Sequence, residues 1–458
     1  MIRGRRRRRR RPRLCRSGPL RWRPAAAACD VPSVHAVPQP LVARLAAVAV
    51  IAALLAAGLA TPRATAQDAI EQPLVLEREH LTGDWAGWRT TLDDHGLEPY
   101  LVYTGSMWSN VAGGIRRGTE FDGYLDLGFG LDLGKLGAWG GLELQVSGHW
   151  FQGRKPSAEL VGVNVAQAVN PWEAANAIRV FNLYLAQRFG TGGVVRIGQM
   201  AVDSDFMISR YGSTLLNSSF GDLPSQNANI DAPVYPLAAP GVYASSPLPG
   251  DLTGRIGFYT ADAGDDVAAN HGFGWQLGND AGYVVFSELA LQAAPCSLPG
   301  VYTVGGYYAS VRAEKLVGTG LVYGQWSTWL MVDQALQVDA SGDPVVGMFA
   351  RFSYSPDDDR NAVGIYADAG LNVFGPVPGR PEDVLAFAGS VGRFTSSFRS
   401  TQQPPEGLGR GGEAVLELTY QLAATPWLAV QPDLQYVIDP FTAEDDATVI
   451  GLEMVVTF

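Results

Sequence analysis

From Gln67 onward the chain holds four histidines, His80, His95, His149 and His271. None of them lies in an H-E-x-x-H, G-x-S-x-G or paired-ligand context. Cys296 is the one cysteine of that region, so an internal disulfide and a cysteine-rich metal site are both excluded. Covalent catalysis and metal chemistry therefore have no residue set to run them, and no enzyme activity, cofactor or metal is expected. A different set recurs between residues 143 and 210. Arg179, Arg196 and Arg210 offer planar forks of N–H donors, Glu143, Asp203 and Asp205 offer acceptors, and Gln199 offers both. Trp172 adds a flat apolar face, with Asn182, Tyr184 and His149 as secondary candidates. Such groups suit reversible hydrogen bonding and stacking rather than bond breaking.

Residues 1–66 have a different character. Arg44 precedes the apolar run LAAVAVIAALLAAGLA (45–60), and ATA at 64–66 is a small-x-small cleavage signal before Gln67. This predicts a secretory signal peptide that is removed. Upstream, a polyarginine stretch would conflict with export, so residues 1–40 are expected to be an artefact of the gene model. Residues 1–66 hold 14 of the 34 Lys and Arg and one of the 45 Asp and Glu, leaving 20 basic against 44 acidic residues, net −24. That balance excludes a nucleic-acid partner.

The elements that carry the polar set are predicted from alternation. In YLDLGFGLDLG (124–134), Leu125, Leu127, Phe129, Leu131 and Leu133 share one face, and Asp126 and Asp132 lie on the other. LELQVSGHW, VGIYADAGLNV, LELTYQL and LAVQPDLQYVID repeat the pattern. About fifteen such segments run from Tyr100 to Phe458, the signature of an outer-membrane barrel. An even strand number is required, so one more strand is expected around 320–340. Trp139, Trp150, Trp326, Trp329, Tyr420 and Trp427 are read as interfacial aromatic girdles. The fold class is all-β: a transmembrane antiparallel β-barrel of 16 strands over 98–458, with a short periplasmic helix in 67–97 and inward-folded loops. Phe458 closes TVIGLEMVVTF, a strand that resembles the barrel-assembly signal of outer-membrane proteins.

The segment LTGDWAGWRTTLDDHGLEP resembles the start of the carbohydrate-selective porins of the OprB type, through Gly83, Asp84, Trp85, Gly87, Arg89, Leu92 and Gly96. RIGQMAVDSDFMISRYGSTLLNSSFG (196–221) and LELTYQLAATPWLAVQPDLQYVIDP (416–440) are similar to two further blocks of that family. Ala86 departs from the usual glycine. Asp84 is expected to cap a helix, Trp85, Trp88 and Leu92 to share its apolar face, and Gly96 to close it. So short a helix must pack on something, and the periplasmic mouth is the expected place.

The resemblance implies an outer-membrane porin for passive, selective diffusion of monosaccharides and small carbohydrates. A general or cation-preferring pore and a non-conducting structural barrel are the alternatives. Segments 151–177 and 201–250 are too long for turns and are read as the constriction. Arg196 lies between Val195 and Ile197, so it faces the lumen if those two face lipid. The acidic runs at 264–266, 357–359 and 444–446 are read as solvated turns or loops that bind cations bridging lipopolysaccharide. Expected partners are carbohydrate solutes, outer-membrane lipids and lipopolysaccharide, and the barrel-assembly machinery. A monomer is favoured over a trimer.

Overall fold

The computed structural model describes residues 74–458 except 164, 166, 279–280, 403–409 and 444. The expected signal peptide and Glu444 lie outside the described residues. Sixteen antiparallel strands close on themselves: β1 Leu97–Ala112, β2 Gly118–Asp132, β3 Leu142–Gly153, β4 Ile178–Phe189, β5 Gly193–Met200, β6 Ala239–Leu248, β7 Leu252–Thr260 and β8 Tyr283–Ala293, then β9 Gly300–Glu314, β10 Leu321–Val338, β11 Pro344–Tyr354, β12 Val363–Phe374, β13 Val384–Phe394, β14 Gly412–Thr425, β15 Leu428–Ile438 and β16 Ala447–Thr457. Each strand pairs with its sequence neighbours, and β1 pairs with β16 from Val102↔Thr457 to Ala112↔Thr448. Closure leaves no unpaired strand edge, which lipid would not tolerate. The expected strand near 320–340 is β10. Strand β6 occupies part of what sequence length marked as loop, so the second long segment is 201–238.

Alternation builds two walls. Leu127, Ile197, Ile256, Leu330, Phe387, Leu418 and Leu452 project outward, while Ser106, Asp122, Ser147, Glu417, Asp433, Gln435 and Glu453 are buried inside. Trp139, Trp150 and Trp326 are exposed on the outside, as a girdle requires. Trp329 is a correction. It points inward, 1% exposed, and its Nε1 donates to Glu288 Oε1 at 3.0 Å. Tryptophan suits either surface when its N–H has a partner, so residue type alone misplaces it.

One end of the barrel carries short turns, such as 190–192 and 426–427, and the other carries the long loops. Outer-membrane barrels put short turns in the periplasm. At that end Leu81 N donates to Thr457 O at 2.9 Å, and Trp427 Nε1 to Val75 O at 2.7 Å. Helix α1, Trp88–Asp94, packs beside them. Asp84 Oδ1 accepts from Thr90 N at 2.9 Å, so the cap forms, but from across an intervening 3₁₀ turn at Trp85–Gly87. That turn holds Trp85 and Ala86 at φ +50° and +58°, a region where glycine is the usual residue. It also takes Trp85 off the helix face. Leu92 alone of the three apolar residues is buried, while Trp85 and Trp88 stay more than a third exposed. Gly96 closes the helix at φ +86°.

Arg89 explains much of the opening motif. Its Nη2 donates to Phe458 O at 2.9 Å, its Nη1 to Pro99 O at 3.3 Å and its Nε to Gly83 O at 3.4 Å. The guanidinium lies 4.3 Å above the Trp85 ring. One cation thus ties the N-terminal turn, β1 and Phe458, which follows β16. Charge-assisted hydrogen bonds contribute about 1.5–3 kcal/mol, so Arg89→Ala should lower the temperature at which the barrel loses its compact migration on unheated gels. Arg89→Lys should recover only part, because an ammonium lacks the planar fork.

Candidate functional site: a lumen narrowed by three inward loops

The second, third and fourth outer loops, L2 (154–177), L3 (201–238) and L4 (261–282), fold inward. A loop inside a barrel brings backbone groups that need partners. The wall supplies them. Glu288 Oε1 accepts from Met207 N at 2.7 Å. Asp333 Oδ1 accepts from Tyr211 N at 3.2 Å and Ser209 Oγ at 2.6 Å. Glu417 accepts from Leu216 N and Asn217 N at 2.6 and 2.9 Å. Arg351, wholly buried, donates to Met207 O, Gly221 O and Ser219 O at 3.2, 2.5 and 2.8 Å while paired with Asp368. L3 thus hangs from β8, β10, β11 and β14. Apolar contact reinforces this, with Phe206, Met207 and Leu223 packing against Tyr259, Phe286 and Trp329 of the wall.

L2 is held the same way. Asp122 accepts from Asn170 Nδ2 at 2.8 Å, Glu453 from Trp172 Nε1 at 2.7 Å, and Gln435 Nε2 donates to Val169 O at 2.8 Å. Ser218 N donates to Ala168 O at 2.9 Å and joins the two loops. L4 is pinned through Asp266, which accepts from Lys155 Nζ (2.7 Å), Arg179 Nη2 (2.6 Å) and Ala175 N (3.0 Å). In the 264–266 run Asp266 is therefore a loop anchor and not a solvated charge, whereas Asp265 is exposed. Among the described residues no group of His, Cys, Asp and Glu is arranged to hold a metal. In the 357–359 run Asp358 accepts from Ser396 and Ser397, and Asp359 pairs with Arg360.

The predicted site residues separate into groups. Arg196 and Asp205 come together as a bidentate pair at 3.0 and 2.5 Å. Val195 and Ile197 face outward, so Arg196 faces in, with its guanidinium 4.5 Å from the Tyr243 ring and 5.4 Å from the Tyr184 ring. Asp203 accepts from Tyr235 N at 3.0 Å. Trp172 stacks on Tyr124 at 4.7 Å and meets Tyr235 edge-on at 5.5 Å, and these three rings stay partly exposed. Arg210 is exposed on L3 over the Tyr211 ring. Glu143 pairs with Arg188 at 2.7 Å near the periplasmic end, away from the loops. Two candidates are corrected. Arg179 is 1% exposed and spent on Asp266, Asn270 O and Val267 O. Gln199 is 4% exposed, donating to Val180 O and Phe181 O and accepting from Trp275 Nε1. L4 covers both, through Asp266 on Arg179 and Trp275 on Gln199.

Sequence reasoning missed Arg255, whose Nη1 donates to Glu288 at 2.9 Å, and the Tyr243 plate. Both sit on β6–β7, and alternation was their available signal: Ile256 and Phe258 face outward around Gly257, which places Arg255 inside.

A family model described as carbohydrate-selective porin, OprB family, matches residues 116–458. Porin B of Pseudomonas aeruginosa is 24% identical over 420 residues, covering 82% of this chain and 91% of that protein. The high-pH structure of Pseudomonas putida OprB superposes with a TM-score of 0.75 at 22% identity, over 85% of this chain and all of that one.

The loops also carry perturbed acids. Burial, then the neighbouring Asp222, pushes Asp203 up to about 7. Burial raises Asp222 to about 6, and burial followed by Asp122 raises Glu173 to about 8. Burial would also raise Asp266, but Lys155, Arg179 and the Ala175 amide overcome it and hold the group below the usual range. A raised folded-state pKa means that the folded protein takes up these protons before the unfolded chain does, so mild acid does not unfold the loops through these groups. It does remove negative charge from the lumen. Lowering pH from 8.5 to 5 should reduce cation over anion permeability, read as a reversal potential moving toward zero across a KCl gradient.

Proposed function

Because the chain belongs to the carbohydrate-selective porin family of the OprB type, we propose that its solutes pass the gap between L2, L3 and the β4–β7 wall, where Arg196 and Asp205 stand among tyrosines. The protein is an outer-membrane porin for passive diffusion of carbohydrates and is not an enzyme. The observation that carries the route is the Arg196–Asp205 pair flanked by Tyr184 and Tyr243. Paired charges offer both donors and acceptors with no net charge, which suits a neutral polyol better than an ion. Tyr184, which is partly exposed, supplies a flat apolar face for C–H groups. Passage requires that such binding be weak.

Neighbouring charges support the same reading. Arg255 with Glu288, Arg351 with Asp368 and Arg188 with Glu143 are matched pairs on the inner wall. The abundant acids are thereby spent on arginines and loop amides rather than on attracting cations. The solutes this reading implies are monosaccharides and small carbohydrates. The reading further includes contact with lipopolysaccharide at the outer rim, recognition of the Phe458 strand by the barrel-assembly machinery, and a single barrel as the working unit.

Reconstituted protein should swell liposomes faster with glucose than with a charged solute of similar size, and sugar should block its ion current. Arg196→Ala should leave the barrel folded, weaken sugar block about five- to tenfold through loss of charge-assisted hydrogen bonds, and shift ion selectivity toward cations. Unchanged block and selectivity in that variant would remove Arg196 from the route.

A further inference from the structure

At the outer end of β13, Arg393 stands exposed between Gly392 and Phe394, which are buried, so its side chain faces away from the lumen. It pairs with Ile365 of β12, which also faces outward, and with Gly412 of β14. The short helix Ser396–Thr401 follows. Phe398 pins it against Phe394 and Phe441, and Arg399 is left exposed. The two guanidiniums converge: the point above Gly411 where a Cβ would stand lies 3.7 Å from Arg393 Nη1 and 4.0 Å from Arg399 Nη1. Among the described residues neither side chain has a hydrogen-bond or ion-pair partner.

The acids nearby are already engaged. Asp358 accepts from Ser396 N, Ser396 Oγ and Ser397 Oγ at 2.8, 2.9 and 2.6 Å, Asp359 pairs with Arg360, and Asp439 pairs with Arg410. On the inner wall, by contrast, Arg179, Arg196, Arg255 and Arg351 each have a carboxylate. Like charges held side by side repel, so the outer pair is incomplete without an anion.

Chemistry and place narrow the occupant. A single guanidinium satisfies a carboxylate through two parallel hydrogen bonds. A phosphate monoester carries close to two negative charges near neutral pH and presents three acceptor oxygens, which matches two guanidiniums. Below the arginines the outer face is apolar, with Ile365, Phe387, Leu416 and Leu418 each 40–51% exposed. Phosphate above and acyl chain below is the make-up of a phosphorylated, acylated sugar of the outer leaflet. A free phosphate would leave the apolar face unused. We propose that Arg393 and Arg399 form a docking site on the outside of the barrel for a phosphate of lipopolysaccharide, whose acyl chains lie along the β12–β14 face. The proposal rests on the outer-rim lipopolysaccharide contact included in the reading above, and it gives that contact a place. Two cations at the site exclude a divalent ion as the bridge, so the contact is direct.

The test is the affinity of fluorescently labelled diphosphoryl lipid A for the purified protein in detergent, with EDTA present. Sugar-free KCl conductance and compact gel migration report that each variant folds. Arg393→Ala combined with Arg399→Ala should weaken binding about ten- to a hundredfold, the effect of lost charge-assisted hydrogen bonds. Dephosphorylated lipid A should bind the unaltered protein about as weakly as diphosphoryl lipid A binds that double variant. Arg312→Ala, at another exposed arginine near the outer end of β9, should leave the affinity unchanged. The site alone is overturned by an unaltered affinity in the double variant or by an equal fall in Arg312→Ala. Binding that EDTA abolishes, or inorganic phosphate that binds as tightly as lipid A, overturns it as well. Unaltered protein that binds no lipid A with or without EDTA overturns the site together with the rim contact.

Discussion

Backbone amides inside a closed tube need acceptors, and this lumen meets that need with carboxylates from the wall. Glu288, Asp333 and Glu417 each take N–H groups of L3, Glu453 and Asp122 take side-chain donors of L2, and Asp266 reverses the direction by tying L4 back to the wall through Arg179. Without those acceptors, inward loops would leave unpaired polar groups at a cost of about 1–3 kcal/mol each. The acidic composition follows from this. Much of the negative charge is structural, placed where a strand's inner face can reach a folded-in loop. What remains in the lumen includes balanced pairs, such as Arg196 with Asp205, and partly exposed rings, such as Tyr184.

Arg351 shows how the same rule handles carbonyls. A buried guanidinium has five donors and needs an anion nearby to be tolerated. Asp368 supplies the anion, and three L3 carbonyls take other donors. Positive and negative wall groups therefore grip opposite polarities of one chain segment. The loop is held by its backbone and also by side chains such as Ser209 and Asn217. Arg196 and Asp205 pair between wall and loop in the same way.

Alternation made the two walls legible. The inward direction of Arg196, Asp126, Glu417, Asp433 and Gln435 follows from outward neighbours that lipid must meet. Loop length marked L2 and L3 as functional. What was not legible is which lumen residues the loops cover. Arg179 and Arg196 have the same inward logic, yet L4 buries the first and leaves the second partly open, a difference set by contacts 87 residues away in sequence. Gln199 shares the parity of the outward Val195 and Ile197, and its partner Trp275 of L4 lies 76 residues away in sequence. Glu417 reaches Leu216 across 201 residues, a pairing no local pattern announces. The 264–266 acids read as surface because clustered charge usually is, and Asp266 departs from that through two cations that local sequence does not display.

The grip of Arg89 on the carbonyl of Phe458 carries a topological consequence. The two residues are 369 positions apart and touch only once β16 has zipped onto β1. Early in assembly the guanidinium has Gly83 and Pro99 within reach but not its third acceptor. The small N-terminal turn therefore acts as a buckle that fastens last, and a cylinder left ajar by one strand would also lack its fastening.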